Sequence, residues 1–183
     1  MRKILILGLK LFAIAAVAGL ALGVTNMVTA SAIEEQQIVA ADTARRTVLP
    51  GAESFVEQTA PDGLASAYAG YDANGALVGK TGAIVTKGYG GEIEVTVGVD
   101  ANGTVTGVTV GGASFSETAG LGARAKEAWF GEQFIGKTSP IALAKDGGEI
   151  DAITSATITS RAVTGAVNSA VLALAGLTVP TEG

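Results

Sequence analysis

Asp151-Ala152-Ile153-Thr154-Ser155-Ala156-Thr157-Ile158-Thr159-Ser160-Arg161-Ala162-Val163-Thr164 is the stretch around which the chain is organised. It carries six hydroxyl side chains, at Thr154, Ser155, Thr157, Thr159, Ser160 and Thr164. Ahead of it, the turn Lys145-Asp146-Gly147-Gly148 leads into residues 149–153, which read as a strand. Behind it, Ala162, Val163, Ala166, Val167, Ala170, Val171 and Leu174 recur at helical spacing. A helix over about 160–177 is therefore expected, stopping before Pro180, because the residue ahead of a proline avoids the helical region. Thr159 or Ser160 is the expected N-cap, its hydroxyl accepting from a free first-turn N–H. A helix start with unpaired N–H groups and a positive dipole end suits an anion. On the residues alone this is equally a capped helix after a Thr-rich strand, and which hydroxyl matters stays open.

Composition narrows the chemistry. The 183 residues suit one domain plus an appendage. The formal charge is −5, with no basic cluster beyond the first residues, which argues against a nucleic-acid partner. There is no Cys, so disulfides, thiolate metal sites and protein-ligated iron–sulfur clusters are excluded. There is no His, so a Ser-His-Asp triad and a His-ligated metal are excluded too. Redox chemistry on such a chain must come from a bound organic cofactor.

Arg2, Lys3 and Lys10 precede an uncharged span over residues 11–32. That is long enough to cross a hydrocarbon core, which needs about 20 residues. The positive charge in front of it places the N-terminus in the cytoplasm and the remainder outside. A cleaved signal peptide is the competing reading, since Ala30-Ser31-Ala32 fits a small-x-small cleavage site. The length of the uncharged span favours a retained anchor. Residues 33–63 read as a helical membrane-proximal segment: helix, the break Leu49-Pro50-Gly51-Ala52, then a short second helix over 54–58. Residues 64–183 form the remaining domain.

From Leu64 the hydrophobic period becomes two. Asp72-Ala73-Asn74-Gly75 recurs as Asp100-Ala101-Asn102-Gly103, each between β-rich runs. Asn-Gly predicts hairpins with type I′ turns, pairing 65–71 with 76–87 and 92–99 with 104–111. Ile93, Val95, Val97 and Val99 alternate with Glu92, Glu94, Thr96 and Gly98, which predicts one face in the core and one in water. The expected fold class is α+β: an antiparallel sheet of about four strands covered by helices. Lys87-Gly88-Tyr89-Gly90-Gly91 joins the hairpins, either as a flexible connector or as backbone that approaches a ligand closely. A helix through Trp129 and Phe130 is expected further on, with Trp129, Phe130 and Phe134 most simply in the core.

Asp151-x-x-Thr154-Ser155-Ala156-Thr157 resembles the flavin-attachment motif Asp-x-x-[Ser/Thr]-Gly-Ala-Thr. That motif marks the FMN-binding domain of the G component of the Rnf-type electron transport complex, a domain shared with the C component of the sodium-translocating NADH:quinone reductase. Three other strings agree in order with the family pattern: Gly88-Tyr89-Gly90-Gly91, Glu117-Thr118-Ala119-Gly120-Leu121-Gly122 and Gln133-Phe134-x-Gly136-Lys137. Leu49-Pro50-Gly51-Ala52 is a weaker match. Two positions depart from the pattern. Ala119 stands where the family usually has Pro, and Ser155 where it commonly has Gly. Serine is small enough to let a phosphate approach, provided that its φ is negative.

The resemblance implies covalent FMN, held as a phosphoester on Thr157 and added by a dedicated flavin transferase. Thr154, Ser155, Ala156, Ile158, Thr159 and Ser160 would surround the phosphate, and Glu117, Thr118, Leu121 and Gly122 would flank the ring. The implied role is electron relay in a membrane-bound, ion-translocating ferredoxin:NAD oxidoreductase, beside other membrane subunits. A free-standing exported flavoprotein reductase and a non-redox exported binding module are the alternatives that the sequence leaves open.

Overall fold

The computed structural model describes residues 2–179, and these fall into two compact units that divide between residues 40 and 41. The first unit is helical throughout. Helix α1 spans Arg2–Val48 with no interruption, so the spans expected as anchor and as membrane-proximal helix are one element. Leu5, Leu9, Phe12, Val17, Leu20 and Val28 are all exposed on it. Thr25 and Thr29 turn their hydroxyls back onto the carbonyls of Ala21 and Thr25, both at 2.9 Å. This satisfies polar side chains inside the helix itself.

The second unit contains the last turns of α1 and all the remaining elements. Its sheet is an antiparallel meander of five strands in sequence order: β1 (Ser54–Gln58), β2 (Ser66–Tyr71), β3 (Leu77–Lys87), β4 (Glu92–Asp100) and β5 (Val105–Gly111). Both expected hairpins are present, Ser66 opposite Ala83 and Val95 opposite Val110. Residues 54–58, expected as helix, are instead the edge strand, with Ser54 opposite Tyr71 and Gln58 opposite Ala67. The turn over 49–52 reverses the chain, the Ala52 N–H reaching the Leu49 carbonyl at 3.1 Å, and delivers it alongside β2.

The hairpin turns differ from the expected type I′. Gly75 and Gly103 have positive φ, at 79° and 81°, but Asn74 and Asn102 do not. Each turn is stabilised by its leading aspartate. Asp72 Oδ1 accepts from the amides of Asn74 and Ala76, and Asp100 Oδ1 from those of Asn102 and Thr104. The register shifts beside both turns mark the bulge that accompanies such a longer loop.

Helix α3 (Thr157–Gly176) lies on one face of the sheet. Val163, Ala166, Val167, Ala170, Val171 and Leu174 bury their side chains with Ile93, Val95, Val97, Val99 and Val105. The short helix α2 (Ala128–Glu132) adds Phe130, which meets Phe134 edge-on at 5.6 Å; both rings are fully buried and Trp129 is half-buried. Lys80 of β3 donates its ammonium to the carbonyls of Leu174 and Leu177 at the far end of α3, at 3.1 and 2.5 Å.

The second face of the sheet is covered as well, contrary to the alternation rule. Thr96 and Gly98 are buried along with their neighbours. Gly70, Gly79, Gly98 and Gly107, one on each of β2 to β5, form a floor on which Val48 and Leu49 rest. A Cβ on Gly70 would lie 2.6 Å from Leu49, and one on Gly107 would lie 2.7 Å from Val48. Thr106 donates to the Val48 carbonyl at 2.5 Å. Removing side chains lets helix-end backbone approach the sheet, which no hydrophobic pattern advertises. Residues 149–153, expected as a strand, join no sheet and make one parallel bridge, Leu143 to Ile150. Ile150 and Ile153, three apart, are both buried, so their spacing serves the core and not a pleat. Pro180 lies outside the described residues.

Candidate cofactor site

The start of α3 comes three residues earlier than the hydroxyl pattern suggests. Its N-cap is Ala156, with no side-chain cap. The hydroxyls of Thr159 and Ser160 are unavailable for capping because each is engaged elsewhere. Ser160 Oγ accepts the Ile153 amide at 2.9 Å and donates to the Ala156 carbonyl at 2.9 Å, which ties the loop to the helix in the buried interior. Thr159 Oγ1 donates to Glu117 Oε2 at 2.8 Å. The first backbone bond of α3 runs from the Ser160 amide to the Ala156 carbonyl, which leaves the amides of Thr157, Ile158 and Thr159 ahead of the ladder.

Ser155 has φ 62° and is the single non-glycine with positive φ among the described residues. The condition set for a serine here is therefore not met. The chain adopts the left-handed conformation that a glycine would supply freely, and Ser155 bears its cost of ~1–2 kcal/mol. Backbone strain of this kind concentrates at functional sites.

A cleft of about 440 Å³ opens against this helix start, lined by Tyr89, Glu117, Thr118, Leu121, Gly122 and residues 155–159. That is within the range of small-molecule and cofactor sites, ~300–1,000 Å³. Nine of the eleven expected site residues line it: Glu117, Thr118, Leu121, Gly122, Ser155, Ala156, Thr157, Ile158 and Thr159. Thr154 is exposed outside the cleft, and Ser160 is buried behind it. Thr157 is half-buried on the wall, and its hydroxyl bonds to no described residue. Leu121 and Ile158 present partly exposed apolar surface beside it. Tyr89, not among the expected site residues, forms part of the wall while remaining 70% exposed. The signal for it was the Gly-Tyr-Gly-Gly string, where an aromatic sits among residues that let backbone pass close by.

Arg161, just past the cleft, forks onto Asp146 with two 3.0 Å bonds. That hydrogen bond and charge hold the Asp146 carboxyl below its ordinary range and raise the Arg161 guanidinium. The pair is exposed, so it secures the 145–148 turn with little energy. Among the described residues no cluster of acidic side chains could hold a metal.

The residues present fit a planar group with a phosphate tail. Leading amides and a free hydroxyl meet at one end of the cleft, with apolar walls beside them. The FMN-binding domain family matches residues 88–172, which contain every residue of the cleft. The G component of the Na⁺-translocating ferredoxin:NAD⁺ oxidoreductase complex of Acetobacterium woodii is 43% identical over 90% of this chain and 88% of its own. The G component of the ion-translocating oxidoreductase complex of Methanosarcina acetivorans is 34% identical over 86% of this chain and 87% of its own. The crystal structure of the C component of the Na⁺-translocating NADH-quinone reductase from Parabacteroides distasonis has the same fold. It superposes with a TM-score of 0.52 and 21% identity over 62% of this chain and 64% of that one. Sequence motifs, sheet topology and relatives matched over nearly their whole length agree, and the chain belongs to the family of Rnf-complex G components, which carry the FMN-binding domain.

Proposed function

We propose that this protein is the electron-relay subunit of a membrane-bound, ion-translocating ferredoxin:NAD oxidoreductase, and that it carries FMN covalently on Thr157. The observation that carries the reading is the meeting of two distant motifs on one cleft. The 117–122 loop and the start of α3 face each other there, with the unbonded Thr157 hydroxyl beside amides that lead the helix. When bound, the flavin would supply reversible electron transfer, which no side chain of this chain can provide.

The roles of the residues follow from their places. The hydroxyl of Thr157 is the attachment atom. The amides of residues 157–159 and the positive end of α3 would offset the phosphate charge. Leu121 and Ile158 would exclude water from the ring. Ser155 sets the turn that exposes Thr157. Residues 11–32 would remain as an uncleaved anchor, with the N-terminus cytoplasmic and the FMN domain on the outer face, among the other membrane subunits. A covalent bond suits a relay on that side, since a weakly held flavin would be lost by dilution.

Intact mass tests the attachment. With the flavin transferase co-expressed, wild type is expected to exceed the bare chain by one FMN less one water. Without the transferase, no added mass is expected. Thr157→Val keeps the branched shape and removes the hydroxyl, so it is expected to stay folded and lose the whole addition. Thr159→Val and Thr154→Val are expected to keep at least part of it. Added mass on Thr157→Val would refute the assignment.

A further inference from the structure

We propose that Glu117 is the positioning residue of the cleft, a latch that joins its three walls and not a contact of the flavin ring; the part of this that concerns flavin loading rests on the reading above. Glu117 Oε1 accepts the amides of Tyr89 and Gly90, at 2.8 and 3.0 Å. Its Oε2 accepts the Thr159 hydroxyl at 2.8 Å. Both oxygens are thus occupied by the protein. One carboxylate gathers segments 28 and 42 residues away: the connector after β3 and the first turn of α3.

The space around it is shaped to this purpose. A Cβ on Gly88 would collide with Glu117 Oε1, and a Cβ on Gly122 would collide with Glu117 Oε2. The two glycines leave room for the Glu117 carboxylate, which a side chain at either position would displace. Ser116 reinforces the same junction by donating to the Gly90 carbonyl at 2.9 Å. Among the described residues no ion pair involves Glu117, so its charge is met by backbone amides and by the positive end of α3. The connector most needs such a latch. Three of its four residues are glycine, and a free glycine-rich segment has many conformations to lose. Glu117 therefore decides where Tyr89 and Leu121 stand relative to Thr157.

The latch acts through geometry, so glutamine is expected to replace it. The Gln oxygen can accept both amides, and its NH₂ can donate to the Thr159 oxygen. Alanine loses all three bonds. The first measurement needs no flavin: hydrogen exchange at the Tyr89 and Gly90 amides of the full-length protein. Exchange is expected to quicken about tenfold or more in Glu117→Ala and to stay near wild type in Glu117→Gln. The second is the time course of flavin incorporation with the transferase and its flavin nucleotide donor. In that step a bond forms between phosphorus and Thr157 Oγ1, the donor's phosphoester or anhydride bond breaks, and the hydroxyl proton leaves with the departing group. Incorporation is expected to slow about tenfold or more in Glu117→Ala, less in Thr159→Val, and little in Glu117→Gln. Should Glu117→Ala fail to fold, Thr159→Val carries the test. It removes one bond without changing shape, and wild-type incorporation in it would overturn the latch. Glu117→Gln behaving as Glu117→Ala would overturn it too, since charge would then be the property that counts. Absence of label in wild type would refute the flavin reading, while unchanged exchange in Glu117→Ala would refute the latch by itself.

Discussion

Helices α1 and α3 are both long and apolar enough to cross a membrane, yet they have opposite fates. The most apolar window of α1 is wholly exposed, whereas half of the corresponding window of α3 is buried. The difference lies in how apolar residues are arranged. On α3 they form a stripe, with Arg161, Gly165, Ser169 and Leu172 turned outward. On α1, Ile4, Phe12, Leu20, Val17 and Ile14 are all exposed and fall on every side of the axis, so no single contact with a protein surface could cover them. Both helices are apolar, α1 the more so, and the angular distribution of apolar residues separates a helix that one surface can cover from one that it cannot.

The largest expected effect comes from removing α1's exposed half. The full chain is expected to stay with membranes after an alkaline carbonate wash, and residues 41–183 to be soluble and folded. A mature N-terminus near residue 33 on a soluble protein would instead establish cleavage. Next comes the same substitution on each helix. Val167 is completely buried, so Val167→Asp is expected to cost about 4 kcal/mol or more and abolish the thermal transition of the domain. Val17→Asp is expected to leave that transition in place and to impair membrane retention. Equal loss of fold in both variants would break the contrast. The smallest effect sharpens it at the entrance of α3. Ser155→Gly removes the left-handed penalty and is expected to raise stability by about 1 kcal/mol, measured by denaturant titration. A decrease would mean that the Ser155 hydroxyl contributes more than its backbone costs.

Much of this architecture could be read from local pattern. The hairpins followed from the Asp-Ala-Asn-Gly repeats, and the buried face of β4 from its alternating valines. What escaped prediction depends on parts of the chain that meet only after folding. The glycine floor under Val48 and Leu49 looks in sequence like weak strand residues. Residues 54–58 carry too few apolar side chains to declare an edge strand, and β2 supplies the partner that makes them one. The helix start was misplaced because Thr159 and Ser160 have the chemistry of caps, while their real partners are Glu117 and Ile153. The resemblance points to eleven residues, nine of which line one cleft, whereas the physics of the residues alone singles out none of the six hydroxyls. The bonds from the Tyr89 and Gly90 amides to Glu117 cross 28 and 27 residues of chain, so no local pattern announces them.

Lys80 has a consequence beyond stability. Its ammonium grips the carbonyl end of α3, while Glu117, through Thr159, grips the amide end. The helix is moored at bow and stern by charges of opposite sign, each complementing the dipole it meets. A helix tied in this way cannot creep along the sheet by a turn, a step of about 5.4 Å. Electron tunnelling falls off exponentially with distance. For a relay, a fixed berth then matters more than a tight one, and the two moorings hold the cleft at the start of α3 in one place on the sheet.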